Sequence, residues 1–296
     1  SGGYALVNNT TGKWNTAHGY ASLFCNATGC ENTASGYEAG RNITGCWNTV
    51  MGACAMYNST GSHNSAFGYK ALATNVGGQW NVAVGRCALL NNTSGAENTA
   101  VGTNALECNQ TSGYNVAVGE EALRYNTAAN NSAVGYKALY TNTTAPNNIA
   151  VGYKALFANT TGDSQVAIGY ESMCTTTTGG NNVAIGPHSM KLNTTGVNNV
   201  AVGKDAMQCN VNGSQNVALG VKALNSAASD SFNTAVGYCA GYTMRGGCYN
   251  AALGHSALRL NTTGMYNTAV GSDSLVNNTT GCFNAAVGLS SMINNT

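Results

Sequence analysis

A single short motif recurs along the whole chain and limits the folds that it can adopt. The motif reads Asn-x-Ala-Val-Gly-x-x-Ala-Leu, and its glycine returns 18 times, at intervals of 17 residues or, in three cases, 16. We number each repeat from this glycine as position 0, so that the asparagine is at −4 and the alanine at −2. The anchors include Gly19, Gly85, Gly152, Gly220 and Gly288. Such a period indicates a stack of like units, because one unit alone cannot bury its apolar face.

The residues within one repeat favour β-structure over helix. Positions +7 to +10 often read Asn-Thr-Thr-Gly, a turn sequence that would interrupt a helix in every repeat. We therefore predict an all-β chain, a single-domain β-solenoid (parallel β-roll) of about 18 coils with 16–17 residues per coil. It would cover residues 1–296 without separate caps, with strands at −4 to −1 and +3 to +6. Either the −2 and 0 positions or the −3 and −1 positions would face inward.

The low charge of the chain excludes several classes of protein. Charged residues make up 8% of the sequence, and the formal net charge is +1. A basic surface for nucleic acid is therefore not expected. Apolar runs are only a few residues long, so no membrane-inserted helix is expected either.

Several repeats resemble those of known surface fibres. The segments NNVAIGPHSM at 181–190 and NNVAVGKDAM at 198–207 resemble the head repeats of YadA-type trimeric autotransporter adhesins. The longer form NSAVGYKALYTNTT looks like repeats of phage and viral tail-fibre proteins. The resemblance implies a parallel β-roll, exposure on a surface, and a binding or scaffolding role, often as a trimer. The repeats here are longer than the adhesin units, because Asn-Thr-Thr-Gly extends the second turn.

The polar side chains do not converge on a catalytic or metal-binding motif. The four histidines, His18, His63, His188 and His255, occupy unrelated repeat positions. We therefore predict no catalytic residue, no metal site and no cofactor, and expect that the chain is not an enzyme. Charged residues instead share position +2, which predicts a solvated row of alternating charge. The expected neighbours are Glu121 and Lys137, Lys154 and Glu171, and Asp205 and Lys222.

Asparagine sequons are frequent at the second turn. If this turn lies on an exposed edge, the asparagines are candidates for N-glycosylation, although Asn-Thr-Thr-Gly is equally good turn chemistry. Both interpretations stay open. The candidate sites are Asn9, Asn26, Asn42, Asn58, Asn92, Asn109, Asn142, Asn159, Asn193, Asn212, Asn261 and Asn278.

The chain contains 11 cysteines, which modestly favours an oxidising, extracellular location. Cys30 and Cys46 both lie six residues before an anchor glycine in neighbouring coils, so stacking would bring them near disulfide distance. Cys25 and Cys30 flank one turn and could pair instead.

Aromatic residues occupy position −5 in four consecutive repeats. Stacked aromatic side chains usually stabilise a ladder, and binding of carbohydrate or a lateral contact is the alternative. The four residues are Phe232, Tyr249, Tyr266 and Phe283.

These features together predict a structural subunit of an extracellular fibre or filament. Copies would assemble by end-to-end stacking, with N-glycans along one edge, at the cell exterior or on a cell or virion surface. The alternative is a homotrimeric adhesin or tail-fibre segment that binds a receptor, in which the Ala/Gly face would form the trimer contacts. Ice binding is a weaker candidate, suggested by paired threonines at +8 and +9 such as Thr160 and Thr161.

Overall fold

The structure, a computed structural model, describes residues 2–295, and their regular secondary structure is entirely β. The chain forms a parallel β-solenoid of about 16 turns with a repeat of about 17 residues, which confirms the predicted fold class. The number of turns is slightly below the predicted 18, because strand pairing begins only with β1 at Thr16. The coils form two compact units, one ending at Asn147 and the other beginning at Asn148.

Each coil of the first unit contributes one short strand to a parallel sheet. Equivalent repeat positions pair in register, as in Ala83 with Ala100. Two further two-residue strands, β3 and β5, pair with each other. The strands are β1 (Thr16–His18), β2 (Thr33–Ser35), β3 (Asn42–Ile43), β4 (Thr49–Met51), β5 (Asn58–Ser59), β6 (Ser65–Phe67), β7 (Val82–Val84), β8 (Thr99–Val101), β9 (Val116–Val118) and β10 (Ser132–Val134).

The second unit repeats the same arrangement. Its strands pair in parallel and in register, with Ala150 beside Ala167 and Ala167 beside Ala184. The strands are β11 (Ile149–Val151), β12 (Val166–Ile168), β13 (Val183–Ile185), β14 (Val200–Val202), β15 (Val217–Leu219), β16 (Thr234–Val236), β17 (Ala251–Leu253), β18 (Thr268–Val270) and β19 (Ala285–Val287).

The core of each unit is built from small and medium side chains at fixed repeat positions. The alanine at −2 and the Ala-Leu pair at +3 and +4 are fully buried in most coils, as at Ala100, Ala105 and Leu106. The −3 and −1 side chains of the same strands point outward and are half-buried or exposed. The structure thus settles the open question of which face is inside. The single inward residue of each three-residue strand is alanine in every described strand except β4, where Val50 is buried in the same position.

The strand predicted at +3 to +6 is wrong for most coils. Only β3 and β5 contain residues of this segment in extended conformation. Elsewhere the segment is a turn, because the residues at +2 and +4 have left-handed backbone, as at Cys87 (φ 56°) and Leu89 (φ 51°). Successive turns still bond to each other: the Leu89 N–H donates to the Ala105 carbonyl over 3.0 Å. The stack is therefore continuous although only one strand per coil is regular.

Left-handed backbone explains which residue types are missing from three positions. The φ angle is positive at +2, +4 and −5 in coil after coil. Left-handed backbone is particularly unfavourable for side chains branched at Cβ. Valine and threonine are abundant in the chain, yet no valine, threonine or isoleucine occupies +2, +4 or −5 in any repeat. The pattern of residue types and the backbone conformation thus agree.

The anchor glycines lie in a column along each unit. At Gly85 the φ angle is +131°, and an added Cβ would lie 2.6 Å from the Gly102 carbonyl oxygen. The same contact would be 2.5 Å at Gly19 and 2.4 Å at Gly152. Only glycine fits, since both the backbone angle and the neighbouring carbonyl exclude a side chain. Gly220 follows the same rule, and Gly288 has the same backbone conformation in the last coil.

Candidate functional site

A ladder of buried amides runs along the −4 position of each unit. The Asn98 side chain accepts from both the backbone N–H and the Nδ2 of Asn115, each over 3.1 Å. Its own Nδ2 donates to Asn81 Oδ1 over 3.1 Å and to the Ser112 carbonyl over 2.9 Å. Every polar atom of the side chain therefore has a partner, as a buried amide requires. Each asparagine of the ladder thus links its own coil to the coil before it and to the coil after it.

A second amide ladder occupies position +7, where most sequon asparagines lie. Asn92 Nδ2 donates to Asn75 Oδ1 over 2.8 Å and to the Gly95 carbonyl over 2.9 Å. The expectation that these asparagines lie on an exposed edge is wrong for eight of the nine at +7, whose side chains have no exposed surface. A glycan on any of them would break the ladder and displace the core. The eight fully buried candidates are Asn26, Asn92, Asn109, Asn142, Asn159, Asn193, Asn261 and Asn278.

The other four sequon asparagines retain access to solvent. Asn58 and Asn212 are exposed, whereas Asn9 and Asn42 are half-buried. The Asn42 amide also donates to Asn58 Oδ1 over 2.7 Å. These four stay candidates for N-glycosylation, and the amide of Asn42 would lose this hydrogen bond if it were modified.

Breaks in the +7 ladder leave buried oxygens without a partner. Asn26 Oδ1 and Asn210 Oδ1 are buried and accept no hydrogen bond. In both cases the next coil has an apolar residue at +7, Ile43 above Asn26 and Ala227 above Asn210, so the donating amide is missing. Near the second break, Asp230 is almost fully buried in place of the usual glycine, and its Oδ2 also lacks a partner. This part of the second unit is therefore a weak point of the core.

Replacing Asp230 with asparagine is expected to raise the free energy of unfolding by about 1–2 kcal/mol at pH 7. Burial raises the pKa of the Asp230 carboxyl, against a hydrogen bond from the Gly246 N–H. A raised pKa means that the native state holds a proton that the unfolded state releases, so the wild type loses stability as the pH rises above about 4. Urea unfolding at pH 3 and pH 7 checks this.

The gain from Asp230→Asn should vanish at pH 3, where the carboxyl is neutral in both states. Asp163 is exposed, so Asp163→Asn is the matched control. It should leave the free energy of unfolding unchanged at both pH 3 and pH 7. An equal gain at both pH values would contradict the role given to the buried charge.

The charged row at +2 forms, but only in part as predicted. Lys137 Nζ lies 3.1 Å from Glu121 Oε2, which confirms that pair. Glu171 does not pair with Lys154 but with Lys191, at +5 of the next coil, over 2.6 Å. The hydrogen bond from Lys191 lowers the pKa of the Glu171 carboxyl. Both pairs are open to solvent, so each contributes about 0–1 kcal/mol.

Individual histidines also take part in surface contacts, but they do not cluster with one another. His188 Nδ1 lies 3.2 Å from Asp205 Oδ1, which replaces the expected pairing of Asp205 with Lys222. The His63 ring stacks between the rings of Trp47 and Trp80. Across residues 2–295 no group of three or more His, Cys, Asp or Glu side chains is placed to hold a metal ion.

The two cysteines proposed as a disulfide lie in adjacent coils but are free thiols. The Cys30 backbone N–H donates to Cys46 Sγ over 3.1 Å. In the next coil the Cys46 N–H donates in the same way to Ser62 Oγ over 3.0 Å. The side chain at this position therefore satisfies a backbone donor of the preceding coil.

The aromatic ladder at −5 of the second unit is confirmed. The Phe232 and Tyr249 rings stack with centroids 4.7 Å apart, and Tyr249 with Tyr266 and Tyr266 with Phe283 follow at 5.0 Å. Each inner ring is covered on both faces by its neighbours and presents only its edge to solvent. A sugar ring could not stack on those faces, so the structural interpretation of this ladder is the better one.

The outward face of strands β11–β15 is an exposed aliphatic surface without charge. The side chains alternate with the buried alanines and form two columns across five coils. Several of them are more than one third exposed, although valine and isoleucine are usually buried. The ten residues, which we call the aliphatic face, are Ile149, Val151, Val166, Ile168, Val183, Ile185, Val200, Val202, Val217 and Leu219.

The alternative in which the Ala/Gly face forms trimer contacts is wrong in its choice of face. Ala150, Ala167 and Ala184 have no exposed surface, so they cannot touch another chain. The threonines at +8 also differ from the expectation for ice binding. The Thr93 hydroxyl donates to the Gln110 carbonyl and the Thr194 hydroxyl to the Val211 carbonyl, both over 3.0 Å. Their hydroxyl hydrogens are therefore bonded to backbone carbonyls of the next coil and do not point to solvent.

No protein-family model matches the chain, and no curated protein matches its sequence. In the part of the chain that the structure describes, no helix has the length and apolarity needed to cross a membrane.

Proposed function

We propose that the chain is a structural subunit of an extracellular fibre or filament, with a mechanical rather than a catalytic role. The observation that carries the proposal is the identity of the contacts between coils. Within each unit most coils bond to the next through the same in-register strand, glycine column and amide ladders. Such a contact is self-complementary, so a coil of one copy has the donors and acceptors to continue onto a coil of another.

Electron microscopy and sedimentation over a range of protein concentrations test this proposal. We expect filaments whose length grows with concentration, because end-to-end contacts add one copy at a time. Discrete particles of one chain length at every concentration would contradict it.

The aliphatic face favours a second proposal, lateral association into a homo-oligomer such as a trimer of adhesin or tail-fibre type. Ten adjacent aliphatic side chains without charge form a patch that soluble proteins seldom leave open to water. Contact between copies would remove this surface from water, and hydrophobic burial would stabilise the oligomer. Receptor binding would then be a property of the assembled fibre.

Replacing Ile168 with glutamate and Ile185 with lysine is expected to weaken lateral association at least about tenfold. The two charges are cross-strand neighbours, so they keep the sheet intact but resist burial between chains. Sedimentation equilibrium gives the association constant. The control places the same charges at the exposed Thr178 and Thr195 on the second turn and should associate like the wild type. A wild type that is monomeric at every concentration would contradict lateral association.

A further inference from the structure

All three tryptophans of the chain stand in one column of the first unit. The column is position −5 of seven successive coils, and each of its residues has a positive φ, between 54° and 61°. The common backbone conformation points the side chains the same way, and all seven are exposed. In chain order the column consists of Trp14, Glu31, Trp47, His63, Trp80, Glu97 and Tyr114.

The order of residues in this column places a glutamate between two aromatic rings twice. Glu31 separates Trp14 from Trp47, and Glu97 separates Trp80 from Tyr114. Two coil steps of about 4.8 Å put the flanking rings roughly 10 Å apart. In the second unit, where no glutamate intervenes, consecutive rings are in direct contact at 4.7–5.0 Å. The flanking rings are therefore separated by a gap that holds a flexible carboxylate side chain instead of a third ring.

Backbone bonds fix the width of the second gap. The Glu97 N–H donates to the Gln79 carbonyl over 3.0 Å, and the Tyr114 N–H donates to the Ala96 carbonyl over 3.1 Å. The spacing of the coils is thus set by the ladder and does not depend on the side chains at −5. The flanking rings are consequently held in place before any ligand binds, which lowers the entropic cost of binding.

Each gap has an open ring face and an unpaired charge. Trp80 stacks on His63 at 5.7 Å with its other side toward Glu97, and a pocket of about 450 Å³ is lined by Trp80 and Glu97. Neither Glu31 nor Glu97 forms an ion pair among the described residues. A ring face beside an unpaired carboxylate attracts a cation through both the ring quadrupole and the charge.

We propose that Trp80, Glu97 and Tyr114 bind an organic cation of the quaternary ammonium type, and that Trp14, Glu31 and Trp47 form a second site of the same kind. When the flexible glutamate side chain turns outward, a cation held by its carboxylate between the two rings lies about 5 Å from each of them, within the range of cation–π attraction. Quaternary ammonium suits the site better than a primary ammonium, which is strongly hydrated. The chemistry fits both free choline-like solutes and phosphocholine headgroups of a membrane surface.

The two sites differ in their surroundings. Lys13 immediately precedes Trp14, whereas Gln79, Ala96 and Gly113 precede the three residues of the second site. The positive charge of Lys13 opposes a bound cation, so the Glu97 site is the tighter of the two. This inference concerns a surface that the proposed fibre role does not use, and it does not rest on that role.

Titration of the full chain with choline, followed by tryptophan fluorescence and calorimetry, tests the proposal. We expect two sites, the tighter with a dissociation constant of about 1 mM. The neutral isostere 3,3-dimethylbutan-1-ol has the same shape without the charge and should bind at least about tenfold more weakly. Equal affinity for the two compounds, or no binding of choline up to about 50 mM, would overturn the proposal.

Three variants separate the site from a general charge effect. Glu97→Gln should weaken the tighter site about tenfold, and Glu31→Gln with Glu97→Gln should remove both. Glu120→Gln removes an equally exposed carboxylate from a different column and should leave both affinities unchanged. Equal effects of Glu97→Gln and Glu120→Gln would contradict the assignment, and circular dichroism reports whether each variant is folded.

Vesicle binding distinguishes the two sources of the cation. Sedimentation with phosphatidylcholine vesicles that is lost in Glu31→Gln with Glu97→Gln would identify the headgroup as a ligand. Binding of free choline without vesicle binding would identify a soluble cation, and either result supports the site. Vesicle binding that is unchanged in the double variant would show that another surface contacts the lipid. If choline binding is also unchanged in that variant, the proposal is wrong.

Discussion

Replacing Gly85 with alanine is expected to lower the free energy of unfolding by about 3 kcal/mol or more. The new Cβ would lie 2.6 Å from the Gly102 carbonyl oxygen, a backbone atom that cannot move without displacing the next coil. The φ angle of +131° at Gly85 adds backbone strain. Because coils contact only their neighbours, the damage should be greatest in the adjacent coils. The urea midpoint and amide hydrogen exchange of those coils measure both effects.

Two adjacent glycines of one turn provide a matched comparison for this prediction, one as a neutral control and the other as a second destabilising variant. A Cβ at Gly77 would meet nothing within 4 Å, so Gly77→Ala should leave the stability nearly unchanged. At the adjacent Gly78 the Cβ would lie 2.3 Å from the Gly95 carbonyl oxygen and 2.4 Å from Asn75 Oδ1. Gly78→Ala should therefore be strongly destabilising. Equal stability of the Gly77 and Gly78 variants would mean that the glycines are not stacked as described.

Replacing Asn98 with aspartate is expected to destabilise the protein by about 3 kcal/mol or more at pH 7, although the two side chains have the same shape. The amide Nδ2 that donates to Asn81 Oδ1 and the Ser112 carbonyl becomes an oxygen facing two acceptors. Burial and these contacts raise the pKa of the new carboxyl above its unfolded value of about 3.9. Stability should therefore fall as the pH rises from about 4.

Urea unfolding of the Asn98 variant from pH 3 to pH 8 measures this loss. At pH 3 the neutral acid regains one donor, so most of the loss should disappear. Asn212→Asp, at an exposed sequon asparagine, is the control and should follow the wild type at every pH. A pH-independent loss at Asn98 would show that shape rather than charge matters there.

The period of the sequence was sufficient to predict the fold class, because 17-residue units with turn sequences leave few alternatives to a stack of short strands. The inward face was not predictable from the strand residues alone. The period of two separates position −2 from positions −3 and −1, but it does not show which of the two sets faces the core. In the structure the −2 side chain is the inward one, and Ala100 is fully buried.

The asparagines show why the sequon interpretation failed. Asn-Thr-Thr-Gly is polar, which suggests an exposed turn, but in a stack each polar side chain can find its partner in the next coil. Asn92 is buried because Asn75 and Asn109 stand below and above it. The absence of β-branched residues from +2, +4 and −5 was the available signal for left-handed backbone. It would have ruled out the second predicted strand.

Distances between nitroxide labels in the first unit test the central claim that equivalent positions of successive coils lie directly above one another. Labels introduced as unnatural amino acids at Thr60 and Thr143 are five coils apart, and labels at Thr10 and Thr143 are eight coils apart. At about 4.8 Å per coil, double electron–electron resonance should give a distance of about 24 Å for the pair five coils apart and about 38 Å for the pair eight coils apart. Distances that do not increase in proportion to the number of coils would contradict the stacked arrangement on which every proposal here depends.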